Sequence, residues 1–335
     1  MINAKRTTVL LKLICLSIAA VLALGGLTAC GGGQPGNAST TAVTSATAAV
    51  TTTAAATAAA TTAPAAETTA AKVATSAAEA TTASAEAAAG NAAPSDGSWD
   101  KIQSNGKFVL GLDDEFPPMG FRDENNDIVG FDIDMAKAAA EYLGIEVELK
   151  PVIWDTVLLS LNSGEIDCIW NGMSVTEERK KEITFSKSYV NSDQIIVTLA
   201  GSAIKTKADL AGMVIGTQMG SSTLDALDTD PATRDSFGEL REFASFTQAM
   251  MDLDNKRLDA VVIDGIAFYG DFNVKAPGSY NVLEENFGEE EMAIGLRKTD
   301  GAWIDKINEA LAYLRSSGKA AEISKKWFGE DILII

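Results

Sequence analysis

Residues 161–170 (LNSGEIDCIW) and 253–262 (LDNKRLDAVV) follow one plan. Each starts at the end of a helical pattern, passes a polar turn, and enters a buried strand at an aliphatic–aspartate pair, Ile166-Asp167 in one and Leu258-Asp259 in the other. Working outward, 107–112 (KFVLGL) reads as a buried strand and 133–143 (IDMAKAAAEYL) as a helix ended by Gly144. Residues 145–150 (IEVELK) alternate with period two, 156–163 (TVLLSLNS) read as a helix, and 213–218 (MVIGTQ) and 258–264 (LDAVVID) as strands. Ile304, Ile307, Leu311 and Leu314 form an apolar stripe on a late helix. Helices alternating with strands predict an α/β fold with mostly parallel sheets. Two similar units predict two lobes, although short α/β units also resemble one another by chance. In open α/β sheets, ligands bind at the carboxyl ends of strands. Here those ends deliver Asn171, Gly172 and Ser174 from the first unit and Asp264 from the second.

Arg179 is the local anomaly. Ser174 or Thr176 reads as a helix N-cap, and Glu177 and Glu178 suit a first turn whose free amides favour negative charge. An arginine in that turn has the wrong sign. Either it joins Lys180 and Lys181 on a solvated basic face, or its planar fork grips an anion from outside the chain. Asp264 directly follows the apolar run AVVI, where an unpaired buried carboxylate would cost several kcal/mol. It reads either as a cap before Gly265 or as the partner of a ligand cation. With Arg179 on the opposite lobe, the second reading gives a site complementary to a zwitterion, an α-amino acid.

Composition narrows the chemistry. The 335 residues include no histidine, which removes Ser-His-Asp and Cys-His nucleophiles and histidine-bound zinc. No cofactor is expected. With 27 Lys+Arg against 46 Asp+Glu and a net charge of −19, the chain has no basic stripe for nucleic acid.

Lys5, Arg6 and Lys12 precede the apolar run LICLSIAAVLALGGL, which reads as an export signal rather than a membrane span. It ends in LTAC followed by GGG, which resembles a bacterial lipoprotein box and implies cleavage of 1–29 and lipid on Cys30. Cys15 would leave with the signal, so only Cys168 would remain as a thiol, and no intrachain disulfide is expected. Cys168, within EIDCIW, reads as a buried small apolar residue. Residues 30–98 are almost entirely Ala, Thr, Ser and Gly. They read as a flexible tether of about 70 residues with a reach on the order of 45 Å.

The segment 130–143 (GFDIDMAKAAAEYL) resembles the signature of the family 3 solute-binding proteins, the amino-acid receptors of ATP-binding-cassette (ABC) importers. The likeness runs from about 105 to 329 and includes WNGMSVTEER, Phe185-Ser186, IGTQMGSS and KKWFG. Asp132 and Asp134 within the signature read as structural residues at the helix entry. The resemblance implies a two-lobe, type II periplasmic-binding-protein-like fold with two hinge crossings, near 191–196 and 291–296. It implies lobe 1 from 99–192 plus 291–335 and lobe 2 from 193–290. It places Arg179, Ser174 and Ser222 at the ligand carboxylate, with Gln218 and Ser221 beside them, and Asp264 and Gly172 at the ammonium. Phe116 and Trp154 would wall the ligand, Trp154 also fitting a core position, and Asp113 would meet a polar or cationic side chain. Asn171 stands where relatives often carry a small hydroxyl or alanine, and its role stays open. The partners implied are a free amino acid, an ABC permease and, through the lipid, the outer face of the bacterial membrane; a monomer is expected. A secreted cyclohexadienyl dehydratase-like enzyme and a lipid-tethered sensor are the alternatives on the same fold, and the missing histidine disfavours the enzyme.

Overall fold

A computed structural model describes residues 96–335. The expected export signal, Cys15, the lipidation site Cys30 and nearly all of the expected tether lie outside the described residues. Asp96 is already part of the folded unit, because its carboxylate accepts from the Ser98 and Ala302 amides at 2.8 and 3.0 Å. The globular part therefore begins ahead of the expected boundary at 98.

After a helix at Ser98–Asn105 come β1 (Lys107–Leu112), β2 (Glu115–Phe116), β3 (Gly120–Arg122) and β4 (Ile128–Val129), then the helix Phe131–Leu143. Next are β5 (Glu146–Pro151), the helix Val157–Asn162, β6 (Cys168–Ile169), the helix Glu177–Glu182 and β7 (Ile183–Phe185). The long strand β8 (Val190–Leu199) leads to β9 (Val214–Gln218), the helix Ser222–Asp228, β10 (Glu239–Phe243), the helix Phe246–Asp254 and β11 (Ala260–Asp264). After β12 (Tyr280–Val282), β13 (Glu289–Met292) and β14 (Gly295–Arg297), the helices Gly301–Ser316 and Lys319–Phe328 close the chain.

One sheet runs β5-β1-β6-β14-β7 and the other β10-β9-β11-β8-β12, with β13 also on β8. The parallel arrangement expected from the sequence holds at the middle of each sheet, for β5-β1-β6 and for β10-β9-β11. Strands β14, β8, β12 and β13 are antiparallel additions. Strands β8 and β14 run against the parallel strands beside them, and β12 and β13, each antiparallel to β8, run the same way as β11.

The repeated plan is real in three dimensions. Asp167 accepts the Val109 amide of β1 at 3.0 Å, and Asp259 accepts the Val214 amide of β9 at 2.8 Å. The residues before them, Ile166 and Leu258, each press a terminal methyl against a glycine of the neighbouring strand. A Cβ added to Gly111 or to Gly216 would come within 2.4 Å of that methyl. Even the turns match: Gly164 and Lys256, at equivalent positions, both take left-handed φ, 79° and 56°. One local solution for entering a buried strand has been used twice.

The Phe131–Leu143 helix buries Phe131, Ile133, Met135 and several alanines, and ends at Gly144. Ile307, Leu311 and Leu314 of the late helix are buried, with Ile304 partly so. Asp134 accepts from Lys326 and Trp327 at 2.6 and 2.8 Å, tying the signature helix to the C-terminal one. Asp132 is fully buried, and burial pushes its pKa up to about 7. It accepts from the Tyr189 hydroxyl at 2.8 Å and the Gly172 amide at 2.6 Å. Its role is structural, as expected, yet it fixes a residue of the site. Cys168 lies buried in β6, and its thiol is pushed well up by burial, as an inert core position requires.

Candidate ligand-binding site

All eleven residues singled out in the sequence surround one cavity between the two sheets. The first sheet and its loops contribute Asp113, Phe116, Trp154, Asn171, Gly172, Ser174 and Arg179. The second contributes Gln218 at the end of β9, Ser221 and Ser222 at the start of the next helix, and Asp264 at the end of β11.

Thr176, not Ser174, caps the helix, accepting the Arg179 amide at 3.2 Å. That helix has six residues, so the unfavourable placement of a cation costs little. The two readings of the basic run divide among its members. Lys180 and Lys181 point outward and pair with Glu177 and Glu178. Arg179 is 8% exposed and turns inward. Its guanidinium donates to the Ser174 carbonyl at 3.0 Å and, across the cleft, to the Gly220 carbonyl at 3.1 Å. It also lies 5.8 Å from the centre of the Trp154 ring, a cation–π distance. Among the described residues no carboxylate comes within ion-pair distance of it. Burial lowers its pKa, outweighing the more distant acids Glu290, Asp225 and Asp264, which raise it.

Asp264 is 4% exposed and makes no side-chain cap to the turn that follows, so the capping alternative is not what the structure contains. Burial, reinforced by the neighbouring Glu290, pushes its pKa well above the usual carboxylate range. An ammonium group placed beside it would oppose both effects by favouring the charged carboxylate.

Between these poles, Ser222 Oγ donates to Ser174 Oγ at 2.9 Å, joining the two sheets. Asp113 accepts from Gln218 Nε2 at 2.7 Å, again across the cleft, and burial pushes its carboxyl up to about 6. Ser221 Oγ bonds the Gln218 carbonyl at 2.7 Å. Asn171, whose role the sequence left open, uses Oδ1 to hold the Asp113 amide at 2.9 Å, and its buried Nδ2 has no partner among the described residues. Trp154 and Phe116 line the cavity and also belong to hydrophobic clusters, so the wall and core readings of Trp154 hold together. The halves meet closely at Gly220, where a Cβ would sit 2.7 Å from Asp155 Cα.

The sequence model described as "Bacterial extracellular solute-binding proteins, family 3" matches residues 108–330. The chain belongs to this family. The L-cystine-binding protein TcyJ of Escherichia coli (strain K12) is 30% identical over 71% of this chain and 88% of its own length. The arginine-binding extracellular protein ArtP of Bacillus subtilis (strain 168) is 30% identical over 66% of this chain and 86% of its own. The crystal structure of an ABC uptake transporter substrate-binding protein from Streptococcus pneumoniae with bound histidine superposes with a TM-score of 0.69. It is 38% identical, covering 71% of this chain and 98% of that one. These relatives are binding proteins rather than enzymes, in line with the expectation of a non-enzyme. Among the described residues no helix is long and apolar enough to cross a membrane.

In this family 3 solute-binding protein one lining residue and two neighbours of Asp264 went unread in the sequence. Phe246 lines the cavity 6.0 Å from the Phe116 ring; the signal was its place directly after the helix cap Ser245. Gln194 lies on β8, whose crossing was expected without a side-chain role, and donates to Asp264 at 2.9 Å. Glu290 sits in the acidic run 289–291, which by itself reads as a solvated edge.

Proposed function

We propose that this family 3 solute-binding protein closes around a free α-amino acid with a polar or cationic side chain and delivers it to an ABC permease. The carrying observation is the pair Arg179 and Asp264, oppositely charged, buried, facing one cavity from different sheets, and without a mutual ion pair. In this reading Arg179, Ser174 and Ser222 meet the carboxylate, and Asp264 and Gly172 the ammonium. Asp113, Asn171 and Gln218 meet the side chain, and Phe116, Trp154, Ser221 and Phe246 complete the wall. Residues 99–192 with 291–335 form one lobe and 193–290 the other, with β8 and β13 crossing between them. Ligand that touches both lobes stabilises the closed form by its differential affinity. Lipid on Cys30 holds the receptor at the outer face of the membrane, as a monomer.

A thermal-shift panel of the common amino acids and cystine tests the ligand class. A ligand at one hundred times its Kd adds about 2.7 kcal/mol, which for a domain of this size raises Tm by roughly 5–11 °C. Polar or cationic amino acids are expected to give such shifts. A larger shift with leucine or alanine than with every polar amino acid would refute the assignment of Asp113 and Gln218 to the side chain.

Closure also has a contact outside the cavity. Glu115 of the first half accepts from Ser245 Oγ of the second at 2.5 Å. Glu115 is exposed, so its removal costs only about 1 kcal/mol of closure. Glu115→Ala is expected to weaken every ligand by a similar factor, roughly threefold to tenfold, leaving their order unchanged. Calorimetry on two ligands checks this, and a reordering would show that Glu115 meets the ligand.

A further inference from the structure

Asp264 shares its amide donor with a second acid. Gln194 Nε2 lies 2.9 Å from Asp264 Oδ1 and 2.7 Å from Glu290 Oε1, and its Oε1 accepts from Thr223 Oγ1 at 2.6 Å, which sets the amide's orientation. Ser222 Oγ is a more distant third neighbour, at 3.3 Å. An amide carries two hydrogens, one for each acid. Two carboxylates on one amide donor repel one another, which favours a proton on the pair, and Glu290 helps to raise the Asp264 carboxyl. The three residues stand on adjoining strands of one sheet: Asp264 is opposite Gln194, and Glu290 opposite Ser192. Among the described residues the other charged groups around them are Asp193 on β8, Glu289 on β13 and Asp225 on the helix after β9, all acidic, and one cation, Arg179, which arrives from the opposite sheet.

We propose that Glu290 is a further residue of the ammonium site, and that binding exchanges the proton held between Asp264 and Glu290 for the ammonium of the ligand. The inference rests on the amino-acid reading above. The ammonium supplies N–H donors to both carboxylates, so the proton between them leaves to solvent; no other bond changes. The sign follows from linkage. Without ligand, burial and Glu290 hold the Asp264 carboxyl well above its ordinary range, and the ammonium lowers it again. Between those two values binding releases a proton, and affinity falls as pH falls, by up to about tenfold per pH unit.

The test is calorimetric titration of the purified protein with L-glutamine and L-arginine, from about pH 5 to about pH 8, in two buffers of different ionisation enthalpy. The native protein is expected to release nearly one proton per ligand within the window, and Glu290→Gln to release less with a shallower pH slope, because burial of Asp264 remains while the neighbouring acid is gone. A second measurement, the infrared carbonyl stretch of a protonated carboxyl group, is expected in the ligand-free native protein and to diminish in ligand-free Glu290→Gln. It decides the matter if that variant folds but does not bind. Native binding without proton release overturns the proposal and leaves the amino-acid reading standing. Release undiminished in Glu290→Gln, or an unchanged infrared band, assigns the proton elsewhere, Asp113 first, and also overturns it. If no amino acid of the wider panel binds the native protein, the amino-acid reading itself has failed.

Discussion

Arg179→Ala is expected to weaken amino-acid binding by roughly a hundredfold to several thousandfold, because removing one partner of a desolvated charge contact costs about 3–5 kcal/mol. The ligand carboxylate would then lie in a closed cavity with only hydroxyls and amides to face it. The ligand-free fold should survive, since Arg179 holds only two main-chain carbonyls and no carboxylate. Calorimetry together with a melting curve separates the two effects. A variant that binds its amino acid with near-native affinity would place the carboxylate elsewhere, and one that no longer folds would make Arg179 a structural residue.

Asp264→Asn should cost comparable affinity for the opposite reason, as the ammonium loses the negative charge at the end of β11 while the volume is kept. Its effect on stability has the reverse sign. The folded-state pKa of Asp264 is raised, so its share of stability is full below the ordinary carboxylate pKa and is lost as pH rises through the raised value. At neutral pH the native protein carries that loss, and the asparagine variant does not. Ligand-free Asp264→Asn is therefore expected to melt at or above the native temperature near pH 7, with the difference vanishing in acid. A variant that melts well below the native protein would show Asp264 to be a structural residue.

The readings that survived contact with the structure rest on local physics. The turn and aliphatic–aspartate pair at 161–170 and 253–262 recur because a buried strand entry needs an acceptor for its neighbour's first amides and an aliphatic to cover the adjoining glycine. The carboxyl ends of those strands carried Asn171, Gly172 and Asp264 into the cavity for the same reason. The parallel strands at the centre of each sheet followed from alternation, whereas the antiparallel strands β8, β12, β13 and β14 depend on where the chain crosses, which no period encodes. Glu290 is instructive: within the run 289–291 nothing distinguishes it from its neighbours, and it becomes a candidate only because β13 pairs with β8 and brings it to Gln194, 96 residues away in the chain.

By itself the sequence determined an α/β protein with two similar units, the strands that end at Gln218 and Asp264, the helix that carries Arg179, and the charge that Arg179 and Asp264 contribute. Only the tertiary structure decided that Arg179 turns inward while Lys180 and Lys181 remain in water, and that Asp264 shares a donor with a second acid. Periodicity and capping act over a few residues and are written in the chain. Desolvation and charge pairing act through space, between groups that only the packing of two sheets brings within a hydrogen bond of one another.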